Sequence, residues 1–278
     1  MGYVDFILNL AGLLLWLNWR SVRFDPLNQR TPATLMGTLR PAAPQKIRRW
    51  HLLVIIAGLL LLRAFFYWQI GSALSPIWTG KLNLGVITLS FRSDWFVRVL
   101  LFSFLSFGRA LGIFYVGLLF LSLVKGPEPI HRLVRIPLGR VDGWARWQKI
   151  ILPFLLTAVI WWLAAWLLGA LQITTQPVSM AQRLEEAAVI ALGSYLIWQF
   201  PAVAVVGLHL LNSYIYFGKH PFWNYVNTTA QKILRPLEKI PLRFGKMDFA
   251  PVVGIALIFL AAGFAGRGLT WLFQRLPF

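Results

Sequence analysis

Long apolar stretches alternate with short basic ones along the whole chain. Six of the apolar stretches have the length of a membrane-spanning helix, because about 20 apolar residues cross the ~30 Å hydrocarbon core of a bilayer. They lie at approximately Tyr3–Trp19, Leu52–Gly71, Phe96–Val124, Ile150–Leu171, Ala187–Phe217 and Ala250–Leu272. The pattern predicts an all-α integral membrane protein with about six transmembrane helices, arranged as three helix–basic loop–helix hairpins. Pro201 should kink or interrupt the fifth helix.

The amino-acid composition also indicates a membrane protein. Apolar residues make up 58% of the 278 positions and charged residues 13%, against about 45–50% and about 25% in soluble domains. So few polar side chains cannot cover a water-facing globule. The chain has no cysteine, which excludes disulfides and cysteine-ligated metal sites.

Basic residues concentrate on one side of the predicted membrane. The loops after the first, third and fifth apolar segments hold 19 of the 27 lysines and arginines. Because cytoplasmic loops carry the excess of positive charge, this distribution predicts cytoplasmic basic loops and periplasmic termini. The same loops explain the net charge of +18 through contact with anionic lipid headgroups. We expect no specific nucleic-acid partner.

Two of the basic loops repeat one motif. The loop before the fourth segment reads I-P-L-G-R-V-D over residues 136–142, and the loop before the sixth contains I-P-L at 240–242 and G-K-M-D at 245–248. The repetition predicts one membrane domain, 1–278, built from parallel units at approximately 1–72, 96–172 and 187–278. An ordered outer loop, 73–95, follows the first unit, and its alternating Leu82, Leu84 and Val86 indicate a short extended piece.

The stretch from His220 through Phe264 resembles the YggT family of small bacterial and chloroplast membrane proteins. The similarity lies in P-F…Y-V…I-L-R-P-L…I-P…G-x-M-D-F-A-P followed by an apolar helix, and the middle unit shows it from Pro129 to Leu155. The resemblance implies the bacterial inner membrane and an accessory role in membrane-complex assembly, cell-division or nucleoid-linked organisation, or osmotic tolerance. It supplies no catalytic residue. A third hairpin and the long outer loop depart from the family's usual length.

The repeated motif has a physical interpretation as a re-entry turn with a helix cap. Gly139 and Gly245 can adopt a positive φ where the chain turns back toward the membrane. Asp142 and Asp248 precede the next apolar segment, where a carboxylate can accept hydrogen bonds from free backbone N–H groups. A partner-docking surface is the alternative interpretation of the same residues.

Arginines inside the apolar segments are the candidate contact sites. Arg63 and Arg109 are candidates for contact with a partner subunit or a lipid, and Arg109 lies near the middle of the third segment. A charge at that depth costs on the order of 3 kcal/mol unless it is paired. An intramolecular contact to a carbonyl, Ser103, Ser106 or Gln199 is the alternative for Arg109.

The functional prediction is non-catalytic. No motif in the sequence supplies a catalytic constellation, a metal site or a cofactor site, and the four histidines form no metal-ligand spacing. We therefore expect an accessory or structural subunit that assembles or stabilises a larger inner-membrane complex, with other membrane subunits and anionic lipids as partners. An ion or small-solute channel or transporter is the alternative, and a tether for the nucleoid or division machinery is a third interpretation.

Overall fold

A computed structural model of the chain describes residues 2–21, 49–74, 79–92, 95–124, 134, 136–174, 179–215, 220–240, 242–244 and 247–276. Eight α-helices account for most of these residues, and short 3-10 turns and two small hairpins connect some of them. The helices are α1 Gly2–Ser21, α2 Arg49–Leu74, α3 Phe96–Ser122, α4 Arg146–Ala170, α5 Met180–Gly193, α6 Gln199–Tyr214, α7 Pro221–Leu234 and α8 Ala250–Gln274. The strands are β1 Thr79–Asn83, β2 Thr88–Arg92, β3 Arg243–Phe244 and β4 Met247–Asp248.

Five stretches of helix are long and apolar enough to cross a membrane. They are Trp50–Ile70, Phe96–Ser122, Arg146–Ala170, Met180–Tyr214 and Ala250–Gln274. The chain is therefore a mostly helical, membrane-embedded protein. Helix α1 coincides with the first predicted segment but is not among the five, because polar residues such as Asp5 and Asn9 lower its mean hydropathy. The count of six and the arrangement in three hairpins stay predictions.

A 3-10 turn at Ser194–Trp198 interrupts the span Met180–Tyr214 and separates α5 from α6. Pro201 follows the turn by three residues. Proline has no N–H to donate to the carbonyl four residues earlier, that of Ile197, and its ring clashes with that carbonyl in a regular helix. The predicted interruption therefore lies on the N-terminal side of Pro201.

The described chain packs into two compact units. The first contains Met1–Gly80 and Phe91–Leu111, and the second contains Lys81–Ser90 and Gly112–Phe278. In the first unit, Ile56, Leu60 and Phe107 form the buried core. Helix α1 approaches α3 so closely that a Cβ at Gly12 would lie 2.8 Å from the Phe107 ring. Glycine at position 12 therefore permits this packing.

Helix α7 was not among the predicted elements, and it organises the core of the second unit. Its apolar face, with Val226, Ala230 and Leu234, packs against Val205 and Val206 of α6. This periodic apolar face is the signal by which an amphipathic helix could have been predicted. The hydroxyl of Tyr225 donates a 2.7 Å hydrogen bond to the carbonyl oxygen of Leu121. Burial raises the pKa of Tyr225 above its ordinary value.

The outer loop forms a two-stranded hairpin from β1 and β2. Burial alternates along β2, so that Leu89 and Phe91 are buried. The predicted extended piece is matched only in part, because Leu82 lies in β1 whereas Leu84 and Val86 lie between the strands. The turn between the strands has Gly85 at φ +94°, a conformation that glycine adopts without strain. Val86 contacts Gly193, where a Cβ would lie 2.6 Å from the valine side chain, and the Val86 carbonyl accepts a 3.2 Å hydrogen bond from Thr270.

Candidate functional site: intramembrane arginines and re-entry turns

Arg63 lies at the centre of a buried polar network in the first unit. Its side chain is 2% exposed. The guanidinium donates from Nε to the Ser103 hydroxyl at 2.8 Å, from Nη1 to Oδ1 of Asn9 at 2.8 Å, and from Nη2 to the Ser103 carbonyl oxygen. A buried cation is stable in a protein when it is hydrogen-bonded and has a counter-charge. The hydrogen bonds to Ser103 and Asn9 meet the first of these two requirements.

Asp5 supplies the counter-charge. Its Oδ1 lies 3.9 Å from Nη1 of Arg63 and accepts a 2.8 Å hydrogen bond from the hydroxyl of Tyr67. The network also extends from Asn9 to the hydroxyl of Ser106, at 3.0 Å. Helices α1, α2 and α3 each contribute polar side chains, so the network joins all three.

This arrangement corrects the prediction that Arg63 contacts a partner or a lipid, because its donors are engaged within its own unit. Sequence reasoning also missed Asp5 and Asn9 as its neighbours. The available signal was helical spacing. Asp5 and Asn9 lie four residues apart on α1, and Arg63 and Tyr67 lie four apart on α2, so each pair shares one helix face.

Arg109 has the opposite environment. It is the middle residue of the 27 in α3, about 20 Å from either end at 1.5 Å per residue. Its side chain is exposed. Within the described ranges, the guanidinium makes no hydrogen bond or ion pair. Ser103 and Ser106, which sequence reasoning considered as partners, belong to the network of Arg63.

The first re-entry turn is built around a buried ion pair. Gly139 adopts φ +60°, the positive φ expected of it, and begins the 3-10 turn Gly139–Gly143. Asp142 and Lys149 are 9% and 5% exposed, with Nζ and Oδ1 3.5 Å apart. Lys149 Nζ also donates to the carbonyl oxygen of Ser122 at 3.3 Å. The pair therefore ties the end of α3 to the start of α4.

The prediction that Asp142 caps the following helix is wrong. Helix α4 begins at Arg146, and its N-cap residue is Ala145. The N–H of Ala145 donates to Oε1 of Gln148 at 3.0 Å. The 3-10 turn ends before α4 starts, and Asp142 pairs with Lys149 on the first turn of α4.

Asp248 immediately precedes the N-cap residue of α8, Phe249, and its side chain still accepts a hydrogen bond from the start of that helix, as the capping interpretation expects. Its Oδ1 accepts a 2.9 Å hydrogen bond from the N–H of Ala250, the first residue of α8. Pro251 follows, and proline is favoured in the first helical turn because it has no N–H to satisfy. Gly245, predicted to turn the chain before Asp248, lies outside the described residues. The two copies of the motif thus use their aspartates differently.

In the ranges that the structure describes, no three histidine, aspartate or glutamate side chains form a group that could hold a metal ion. The chain matches no family model, no curated protein and no solved structure. The resemblance to the YggT family therefore stays a prediction that rests on the loop motif.

Proposed function

We propose that this chain is a non-catalytic accessory or structural subunit of a larger bacterial inner-membrane complex, and that α3 forms part of its interface. The observation that supports the proposal is the contrast between two intramembrane arginines. Arg63 is buried and paired within its unit, whereas Arg109 is exposed and has no partner among the described residues. Among the described residues, Arg109 is therefore a charge within a span that needs a partner from outside.

The depth of Arg109 favours a protein partner over a lipid headgroup. Half of the hydrocarbon core measures about 15 Å, and an extended arginine side chain reaches roughly 7 Å. A phosphate could meet the guanidinium only if the bilayer thinned locally. A carboxylate on a transmembrane helix of another subunit meets it without that distortion and forms a hydrogen-bonded pair in a low-dielectric environment.

The partner's carboxylate has to come from a residue other than Asp5 of a second copy. Asp5 is engaged by both Tyr67 and Arg63, and its release would leave Arg63 buried without a counter-charge. Asp5 of a second copy is therefore a poor partner for Arg109, and the proposal takes the carboxylate from a different membrane subunit. The YggT resemblance agrees with an assembly role of this kind.

The charge distribution supports the proposed orientation. The three basic loops face the cytoplasm and anionic lipid headgroups, and both termini face the periplasm. A channel or transporter is the alternative function. It requires polar groups available to a solute, whereas the polar network around Arg63 consists of groups that are hydrogen-bonded to one another.

The proposal is tested by purification in gentle detergent followed by mass spectrometry of co-eluting proteins. We expect Arg109→Leu to insert as well as wild type and to lose the co-eluting subunit by at least tenfold. Arg267→Leu is the matched control, because Arg267 is also an exposed arginine in a span but donates to the Gly263 carbonyl of its own helix. Wild-type recovery of the complex with Arg109→Leu would refute the interface at α3.

A further inference from the structure

Helix α1 lies beside the membrane span Trp50–Ile70 of α2 and runs in the opposite direction. Near the start of α1, Asp5 accepts a hydrogen bond from the hydroxyl of Tyr67, which lies late in that span. Further along α1, Trp16 packs against the core cluster that contains Ile56, which lies early in the span. Because both contacts fall inside the span, α1 lies at membrane depth.

The residues of α1 do not favour that position by themselves. Asp5 and Asn9 interrupt its apolar run, and polar or ionised side chains make the insertion of a helix into a bilayer costly. Among residues 3–20, Gly12 alone is buried, so few apolar side chains of α1 are enclosed by the unit. Lipid tails are as apolar as leucine, and apolar burial therefore gives little drive for α1 to join the other helices.

Polar contacts made by two residues of α1 offset this cost. Asp5 accepts from Tyr67 at 2.8 Å and lies 3.9 Å from Nη1 of Arg63. Asn9 accepts from Arg63 at 2.8 Å and donates to the Ser106 hydroxyl at 3.0 Å. Arg63 takes part in two of these four contacts, and hydrogen bonds from a charged donor are stronger than neutral ones. Arg63 is therefore the main polar anchor of α1.

The dependence of the two helices on each other is unequal. Helix α2 is among the five spans of the described chain even with Arg63 inside it, and so is α3, whereas α1 is not. Arg63 is the fifteenth of the 26 residues in α2, so the anchor lies near the middle of a helix that is already apolar enough to span. Helix α1 therefore needs α2 in order to cross the membrane, and α2 does not need α1.

We propose that α1 is a conditional membrane span, which crosses the bilayer only while Arg63 binds Asp5 and Asn9. Without that contact, the start of α1 moves to the side of the membrane that holds the loop between α1 and α2. This inference does not depend on the interface at Arg109. It makes the N-terminal helix a detachable element whose position is set by one buried polar network.

The chain has no cysteine, so single-cysteine labelling tests this in the full protein. Tyr3, which is 87% exposed near the start of α1, is replaced by cysteine, and a membrane-impermeant maleimide is added to right-side-out and inside-out vesicles. We expect Tyr3→Cys alone to be labelled from one side only. Adding Arg63→Leu should move at least half of the label to the opposite side. Adding Arg267→Leu should change nothing, because Arg267 donates to a carbonyl of its own helix.

A further variant separates loss of this contact from loss of the fold. Asp5→Leu and Asn9→Leu, combined with Arg63→Leu, remove the polar groups that need pairing and should restore one-sided labelling at position 3. A cysteine placed instead at Gln274, the last residue of α8, should be labelled from the same side in every variant.

Three outcomes would overturn the proposal. The first is one-sided labelling at position 3 that Arg63→Leu leaves unchanged. The second is failure of the triple leucine variant to restore one-sided labelling, since the loss would then not come from unpaired polar groups. The third is movement of the label at position 274 together with that at position 3, because the whole chain, and not α1 alone, would then be displaced.

Discussion

Arg63 donates two hydrogen bonds to Ser103, one from Nε to the hydroxyl at 2.8 Å and one from Nη2 to the main-chain carbonyl oxygen. The Ser103 hydroxyl in turn donates to the carbonyl oxygen of Leu60 at 2.8 Å. One serine on α3 thus accepts hydrogen bonds from an arginine of α2 and donates one to a carbonyl of the same helix. This relationship makes the first unit sensitive to changes that leave its apolar packing intact.

Arg63→Leu should destabilise the protein strongly, because it leaves Asp5 inside the unit without its cation. Removal of one member of a buried pair costs about 3–5 kcal/mol. Arg109→Leu is the matched control and should not lower stability, since Arg109 is exposed and unpaired within the described chain. Thermal unfolding in detergent micelles measures both. Equal melting temperatures for the two variants would contradict the assignment of Arg63 to a structural network.

Lys149 and Asp142 should behave as a coupled pair. Each is buried, so Lys149→Met or Asp142→Leu alone leaves one buried charge and should cost about 3 kcal/mol. The double variant should recover most of that loss, because both charges are then removed. A double-mutant cycle of unfolding free energies measures the coupling. Additive losses would show that the two residues act independently.

Asp248→Ala should cost about 1 kcal/mol of stability, the usual loss when a helix cap is removed. Asp248→Asn provides the control, because its amide oxygen can still accept the N–H of Ala250. We expect the asparagine variant to stay within a few tenths of a kcal/mol of wild type. A loss of equal size in both variants would indicate a role for the negative charge and not for the cap.

The basic loops predict the orientation of the chain in the membrane. A reporter that is active only in the cytoplasm should therefore be silent when fused after Phe278. The same reporter inserted in the loop that contains Arg30 should be active, because that loop is one of the three basic ones. The reverse result at both positions would mean that the chain has the opposite orientation in the membrane or that a span was miscounted.

Helix positions were largely determined by the sequence alone. An apolar run in hydrocarbon has to satisfy its own backbone hydrogen bonds, and a single helix does so without help from the rest of the fold. The predicted segment Phe96–Val124 and the observed α3, Phe96–Ser122, therefore differ by two residues. The interruption before Pro201 was predictable for the same reason, since the missing N–H is a property of one residue.

The roles of the polar residues were decided by the tertiary structure. Arg63 and Arg109 both lie within apolar runs, and neither run by itself shows which arginine has a partner on another helix. They differ because Asn9 and Asp5 of α1 pack beside one of them, while the other lies on an exposed face. Long-range electrostatic partners depend on helix packing, which a pattern along one helix does not contain.

The repeated loop motif shows the same contrast between what the sequence predicts and what the packed structure decides. Asp142 and Asp248 occupy equivalent places in two similar stretches, and the sequence predicted one role for both. Asp248 accepts an N–H at the start of α8, whereas Asp142 pairs with a buried lysine on α4. The motif determines the backbone turn, because the turn depends on residues that are neighbours in the sequence. The partner of a carboxylate is set by whichever cation or free N–H the fold brings within reach, and only the packed structure decides that.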